Sequence, residues 1–365
     1  MKKNEFKILF FLVFALFFIG FLAQYSTNGG FNCSVQKHLA HICMCIIAIY
    51  LTYIVDLKFW NNYAYLFYSV IFIFLLVVDI LGVIRLGAQR WIDLYFFTFQ
   101  PSELMKLAIV FSLARYYSML STIEIKNIRY HILPLILILL PVILILKQPD
   151  LGTAGLLLCV GLGMVFLSGF HLKIFGIIIG FGIALCPICW FFLHDYQKNR
   201  MLTFFDPSKD PLGIGYHILQ SKIAIGSGRI LGKGFMQGSQ SKLNFLPEKN
   251  TDFIFTSIVE ESGFLGAFLI ISLFLYLTFY FFWAASEVRN RFACLMCQGL
   301  GITLFLQVFI NTAMVIGIVP VVGIPLPFLS YGGTSMLTFA ISSGLVMSAF
   351  VNRKLDGTKH SRSHF

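Results

Sequence analysis

Residues 131–169 read HILPLILILLPVILILKQPDLGTAGLLLCVGLGMVFLSG. Two apolar runs, 131–147 and 151–169, are separated only by the turn Lys147-Gln148-Pro149-Asp150. A helix needs about 20 predominantly apolar residues to cross the hydrocarbon core of a bilayer, so this stretch reads as a crossing, a tight turn and a return. Working outward, the same criterion finds runs near 8–25, 39–55, 63–83, 102–120, 172–193, 264–283, 293–316 and 333–351. The expected fold is an all-α polytopic membrane protein with about ten transmembrane helices. The chain reads as a single integral membrane domain over 1–365, without an internal repeat or a separate soluble domain.

Composition agrees with that reading. Of 365 residues, 58% are apolar and 12% charged, and mean hydropathy is +0.84. Soluble domains carry about 25% charged residues, and an apolar excess this large needs lipid as its solvent. The 41 phenylalanines belong to the same pattern. The net charge of +11 could point to nucleic acid, but the basic residues sit singly between apolar runs rather than in one patch. Seven of the eight cysteines fall inside apolar runs, including Cys186-Pro-Ile-Cys189, whose thioredoxin-like spacing is embedded in a span; they read as small buried hydrophobes. The stretch 8–23 is long and lacks a convincing cleavage site, so it reads as an uncleaved first span.

Orientation follows from Lys and Arg in the short loops. With the N-terminus inside, the inner segments hold fourteen basic residues, among them Lys58, Arg115, Lys173, Arg289 and Arg353, against Lys37, Arg85, Arg90 and Lys147 outside. Both termini are therefore expected on the cytoplasmic side of the membrane. The segment 194–251 becomes one long periplasmic loop, far longer than its neighbours. Within it, 216–225 alternates apolar and polar residues at helical spacing, the mark of a short helix at the outer surface. Gly226, Gly228, Gly232 and Gly234 point to a flexible cover that could gate whatever lies beneath.

Ionisable groups at membrane depth are costly and are functional hypotheses by default. In Gln100-Pro101-Ser102-Glu103-Leu104-Met105-Lys106, Glu103 and Lys106 share a helix face and can pair; the pair either ties helices together or lines a polar cavity. Asp150 stands where a helix begins, as an N-cap or as a cavity group. Arg85 and Arg90, with Trp91 and Asp93, form either an interfacial belt or a phosphate-facing pair, since guanidinium forks suit phosphate oxygens. Asp252 lies where the long loop re-enters the membrane. Partial desolvation there raises a carboxyl pKa and makes a better base, although an N-cap would use the same residue. Glu260 and Glu261 are adjacent and point to different faces. These groups gather toward the outer leaflet and describe a cavity suited to a substrate with its head outside and its lipid tail in the bilayer.

The segments GAQRWIDL, FQPSELMKLA, KQPDLGTAG, DPLGIGYHILQSKIAIGSG, FLPEKNTDFIF and PVVGIPLPFLSYGG resemble, in order and spacing, those of the SEDS family (shape, elongation, division and sporulation), and lean toward its elongation branch. The resemblance implies a peptidoglycan glycosyltransferase that polymerises lipid II into glycan strands during elongation and rod-shape maintenance. It implies a class B penicillin-binding protein (transpeptidase) as crosslinking partner, alongside the elongation machinery. It also implies that Asp252 is essential for polymerisation and that Glu103, Lys106 and Asp150 line the cavity. Three positions depart from the pattern: Asn250 stands where many relatives have His, Thr98 where many have a basic residue, and Arg229 closes the usual Gly-Ser-Gly-Gly.

The chemistry so implied is glycosyl transfer with inversion. Asp252 takes the proton of the acceptor 4-hydroxyl as it attacks the donor anomeric carbon. The departing undecaprenyl pyrophosphate gathers charge that Lys or Arg, a divalent cation such as Mg or Mn, or both must stabilise. Lys106, Arg90, Arg200 and Lys222 are the candidates. The rival is a lipid II flippase, for which ten spans and intramembrane charges are equally typical. A flippase needs polar groups along the whole path, and these cluster in the outer half.

Overall fold

The computed structural model describes residues 2–85, 88–93, 98–170, 195–206, 210, 213–242, 245 and 248–352, with single positions between 175 and 191. The chain is a helical bundle of α1 (Lys2–Thr27), α2 (Cys33–Ile54), α3 (Leu57–Leu81), α4 (Pro101–Met119), α5 (Thr122–Ile125), α6 (Ile132–Lys147), α7 (Leu151–Leu167), α8 (Asp195–Phe205), α9 (Ile214–Gly228), α10 (Ser239–Lys242), α11 (Ile254–Glu287), α12 (Arg291–Ile316) and α13 (Gly333–Asn352). Between α3 and α4 the chain folds into a small antiparallel sheet in the order β1 (Val83–Arg85), β2 (Ala88–Asp93), β3 (Thr98–Phe99).

The helix starts are written in the sequence. Asn32, Asp56, Asp150 and Asn290 each cap a helix by accepting a backbone N–H from its first turn, and Pro101 occupies the first turn of α4. Phe11, Phe18, Phe268 and Phe279 are 56–68% exposed on the outside of the bundle, as expected of side chains facing lipid. α4 is the central helix, packed on α3, α7, α12 and α13.

Among the described residues, seven stretches are long and apolar enough to cross a membrane: Lys7–Thr27, Cys33–Ile54, Leu57–Ile80, Ile128–Lys147, Ile254–Glu287, Arg291–Ile316 and Gly333–Asn352. α4 carries Glu103, Lys106 and Arg115 and falls outside that set, as does the 17-residue α7. Most of the span expected at 172–193 lies outside the described residues, together with Cys186, Cys189, Lys173 and the chain from 353. The expected span 264–283 is the latter part of a 34-residue helix that begins at Ile254.

That helix is interrupted. Gly263 has φ 67° and ψ −162° inside α11, a region open to glycine and costly for other residues. The groups freed by the break are taken up by the chain after α9. Phe264 N–H donates to Arg229 O at 2.9 Å and Leu265 N–H to Ile230 O at 3.2 Å, while Lys233 and Gly234 donate to the carbonyls of Glu260 and Glu261, each at 3.0 Å. Backbone groups at membrane depth must find partners within the protein, and residues 229–234 supply them.

The flexible cover expected over 194–251 is therefore corrected. The segment holds α8, α9 and α10. α9 extends the expected 216–225 helix and packs on α11 and α12, burying Ile218, Ser221 and Ala224, rather than lying loose on the surface. Gly232 (φ 80°) presses so closely on α11 that a methyl group there would overlap the Glu261 carbonyl; it serves close packing, not freedom of movement.

Candidate functional site

The site lies at the end of the bundle where α4, α7 and α11 begin. Two residues before α11, Asp252 sits in a turn held on several sides. Asn311 of α12 donates to Asp252 O at 3.0 Å and to Ile324 O at 2.7 Å. Ser330 donates to Thr251 O at 2.7 Å, and Tyr331 N–H donates to Asn250 O at 2.8 Å. One helical turn down α12, Gln307 donates to Pro325 O at 3.0 Å. Two amide side chains, four residues apart on one helix face, thus fix the irregular segment 318–331 against the catalytic-loop candidate. Gly323 stands where a side chain would meet the Asp252 carboxylate, its Cβ position 3.3 Å from Oδ2.

Around Asp252 the charges are mixed. Asp150 caps α7, accepting from Thr153 N–H at 3.1 Å and Thr153 Oγ1 at 2.9 Å. Arg90, on β2, lies 3.8 Å from the Asp150 carboxylate and donates to Gln148 O at 3.2 Å and to Pro149 O. It thus caps the end of α6 and braces the turn before α7. Arg200 of α8 reaches Val321 O at 3.5 Å. Glu248 accepts from Thr251 Oγ1 at 2.7 Å. Asp252 retains some exposed surface but lies deep among packed atoms. That burial, reinforced by the charges of Glu248 and Asp150 and opposed by Arg200 and Arg90, pushes its carboxyl up to about 7.

Glu103 and Lys106 are placed elsewhere. Lys106 Nζ donates to both Glu103 oxygens at 2.8 Å and to Gln307 Oε1 at 2.6 Å, with the two side chains 4% and 1% exposed. The ammonium has three donors, and all three are engaged. Lys222, exposed on α9, leans over Gly317 at the C-terminal cap of α12. The structure therefore brings Arg90, Asp150, Arg200 and Asp252 together; Glu103 with Lys106 form a closed unit below them, and Lys222 lies to one side. Arg85 lies on β1. Glu260 is buried and pairs with Lys233 at 2.6 Å; it also accepts from the N–H groups of Ser239 and Gln240 at 2.8 and 3.1 Å. Glu261 accepts from Ser26.

Sequence reasoning missed four residues here: Gln307 and Asn311, Glu248, and His217 of α9. The first two had a legible signal, polar amides four apart inside an apolar run and so on one face. His217 is half-buried, its ring 6.4 Å from that of Phe253, and its Nδ1 is buried without a hydrogen-bond partner. Burial lowers its pKa, and the charges of Glu248 and Asp210 oppose that shift. Among the described residues no three of His, Cys, Asp or Glu converge closely enough to hold a metal ion.

Comparison with known proteins gives the same picture along the whole chain. The family model described as cell cycle protein, FtsW/RodA/SpoVE, matches residues 5–355. The peptidoglycan glycosyltransferase MrdB of Escherichia coli (strain K12) is 40% identical over 346 residues, covering 94% of this chain and 93% of the relative. MrdB of Helicobacter pylori (strain ATCC 700392 / 26695) is 35% identical over 353 residues, covering 95% and 90%. A chain from a peptidoglycan synthase complex, solved for its coordination of polymerization and crosslinking, superposes with TM-score 0.81 at 27% identity, covering 94% of this chain and 97% of that one. The Thermus thermophilus rod shape determining protein RodA superposes with TM-score 0.70 at 25% identity, covering 94% and 96%. With a family model spanning nearly its full length and relatives matched end to end, this chain belongs to the FtsW/RodA/SpoVE family of cell cycle proteins.

Proposed function

We propose that this chain is a peptidoglycan glycosyltransferase that polymerises lipid II, with inversion, at the outer face of a bacterial inner membrane during cell elongation. The observation that carries the reading is Asp252, a carboxyl raised to about 7 beside two guanidinium groups at the mouth of the bundle. A base with a pKa near the working pH combines a useful fraction of the ionised form with enough basicity to accept a proton. Asp252 takes the acceptor 4-hydroxyl proton as the oxygen attacks the donor anomeric carbon. Arg90 and Arg200 face the pyrophosphate as it leaves. Each guanidinium carries five donors, so Arg90 keeps some for phosphate while bracing Gln148 and Pro149. Asp150 holds Arg90 in register, and Lys222 extends the basic margin along α9. Holding two lipid-anchored substrates in one groove converts a bimolecular step into a nearly unimolecular one.

In this reading α4, α7 and the segment 172–193 join the seven apolar stretches to make ten crossings. The site end faces the periplasm, in keeping with the distribution of Lys and Arg. A class B penicillin-binding protein takes the product for crosslinking. Transport of lipid II is less well supported. At the far end of the bundle Arg115 is committed to the Asn61 and Asn62 carbonyls, Arg291 to Leu120 O, and His131 to Ile125 O and Tyr117. Arg115, Arg291 and His131 are thus each held by partners within the bundle's own end rather than aligned along a path. The test is purified protein incubated with lipid II and run on a gel that resolves glycan strands. Strands from the wild type and none from Asp252→Asn support the proposal; equal synthesis by both would sink it.

A further inference from the structure

The turn that carries Asp252 lies outside helices and strands, yet three successive carbonyls in it each accept from a side chain on a different element. Asn250 O accepts from Gln24 Nε2 of α1 at 2.7 Å. Thr251 O accepts from Ser330 Oγ at 2.7 Å, and Asp252 O from Asn311 Nδ2 of α12 at 3.0 Å. All three donor side chains are fully buried. The first of them is not needed to satisfy its carbonyl. Tyr331 N–H already donates to Asn250 O at 2.8 Å, and one partner is enough to offset the loss of water. A second donor, from another element, adds direction. Gln24 is itself held by Asn28, whose Nδ2 donates to Gln24 O at 2.8 Å and, at 3.5 Å, to Gln24 Oε1. Asn28 Oδ1 accepts in turn from Asn250 Nδ2 at 3.4 Å, so three amides close a ring. Phe17, Gly20, Gln24 and Asn28 recur at spacings of three and four and so share one face of α1. Phe17 meets the Phe328 ring edge-on at 5.3 Å. Gly20 lies so close that a Cβ there would stand 2.8 Å from Phe328 O. That face runs along the segment ending at Tyr331 and finishes on Asn250.

We propose that this face of the first span sets the position of the Asp252 carboxyl, with Gln24 as the positioning residue. This rests on the reading of Asp252 as base. Gln24 does not touch the reacting atoms; it acts through the backbone of Asn250, two residues before Asp252. Without its donor, Asn250 O keeps Tyr331 and α1 keeps its packing, but the turn is free to tilt about the two holds that remain, Ser330 and Asn311. A displacement of about 1 Å at a reacting group can cost about 10²-fold in rate. The first span thus takes a share in the chemistry although its charged residues all lie at its opposite end, within Lys2–Lys7.

The experiment is steady-state strand synthesis from lipid II by the full-length protein, with hydrogen exchange of the segment around Asp252 measured on the same preparations. Gln24→Met keeps the length and packing of the side chain and removes its donor. It is expected to lose about 10–10²-fold in kcat, with an unchanged KM for lipid II, an unchanged melting temperature and faster exchange in the turn. Asn28→Ala, at a half-buried position, should show the same pattern more weakly. The double variant should lose little beyond Gln24→Met, because both substitutions act on one ring. Wild-type kcat in Gln24→Met would overturn the proposal. So would a loss of kcat matched by a rise in KM or a fall in melting temperature, which is what a bond serving only the fold predicts. If Gln24→Met does not fold, Asn28→Ala decides: a lowered kcat at unchanged KM supports the proposal, and wild-type kcat overturns it. Asp252→Asn runs alongside. If it makes strands, the reading of Asp252 has failed, whereas an inactive Asp252→Asn beside a fully active Gln24→Met removes only the role of α1.

Discussion

Two ionic centres lie about one helical turn apart along α12, and they are built on opposite principles. In the lower one, Lys106, Glu103 and Gln307 meet with every donor of the ammonium engaged and almost no side-chain surface exposed. In the upper one, Asp252 faces two guanidinium groups and two further carboxylates, its carboxyl raised to about 7. Asn250 Oδ1, Asn311 Oδ1 and His217 Nδ1 beside it are buried without hydrogen-bond partners. A closed, satisfied ion pair resists change because removing either member leaves an uncompensated charge. An under-satisfied cluster retains capacity for a substrate. The contrast separates two uses of buried charge that a sequence presents in the same way: one joins α4 to α12, the other leaves polar atoms of Asn250, Asn311 and His217 without partners.

The comparison breaks first at Asp252. Asp252→Asn should lower strand synthesis by at least about 10²–10⁴-fold, the range for loss of an acid–base group, with no loss of thermal stability. The sign is clear: the folded protein favours the neutral carboxyl, so the contribution of Asp252 to stability is present at low pH and disappears as pH rises through about 7. Asn cannot ionise and is spared that desolvation above pH 7. A variant that is both inactive and unfolded would place Asp252 with the structural centre instead. Activity should follow the ionised form, so wild-type turnover should fall by about tenfold per pH unit below 7, read from initial rates; a flat profile from pH 5 to 8 would separate the base from this carboxyl.

The lower centre answers to stability rather than rate. Glu103→Ala and Lys106→Ala should each cost roughly 3–5 kcal/mol, and the double variant well under the sum, because the second substitution removes the charge the first left exposed. Unfolding in detergent checks this, and additive losses would show two independent residues. Gly232→Ala should cost more than the ~1–3 kcal/mol of a side chain at positive φ, because its Cβ would overlap the Glu261 carbonyl. An unchanged melting temperature there would restore the loose loop that the sequence suggested.

How much of this was legible depends on what each residue advertises. The apolar runs announced the bundle because lipid imposes a single requirement over a long stretch. Asp150 as a cap was legible from Asp-Leu-Gly-Thr, a local pattern; Asp252 and Arg90 were singled out as charges at the membrane boundary, and Arg200 only as a basic residue of the long loop. Lys106 was read with the right partner but not as fully engaged, since Gln307, its third acceptor, comes from a helix far along the chain. The loop misled because glycine means opposite things in sequence and in structure. At Gly232 and Gly263 it permits close contact between two backbones, and nothing local distinguishes that from mobility. His217 was hidden because a half-polar helix face looks the same whether it meets water or the turn that carries Asp252.

The break at Gly263 also bears on where the chain can change length. Residues 229–234 complete the hydrogen bonding of a helix that the membrane would otherwise leave incomplete. Removing or lengthening them would unfasten a turn of α11 as well as a loop. Insertions are normally best tolerated at exposed connections. Residues 229–234 are no such connection, so variation in length should avoid these six residues, which splice the helix and keep their number.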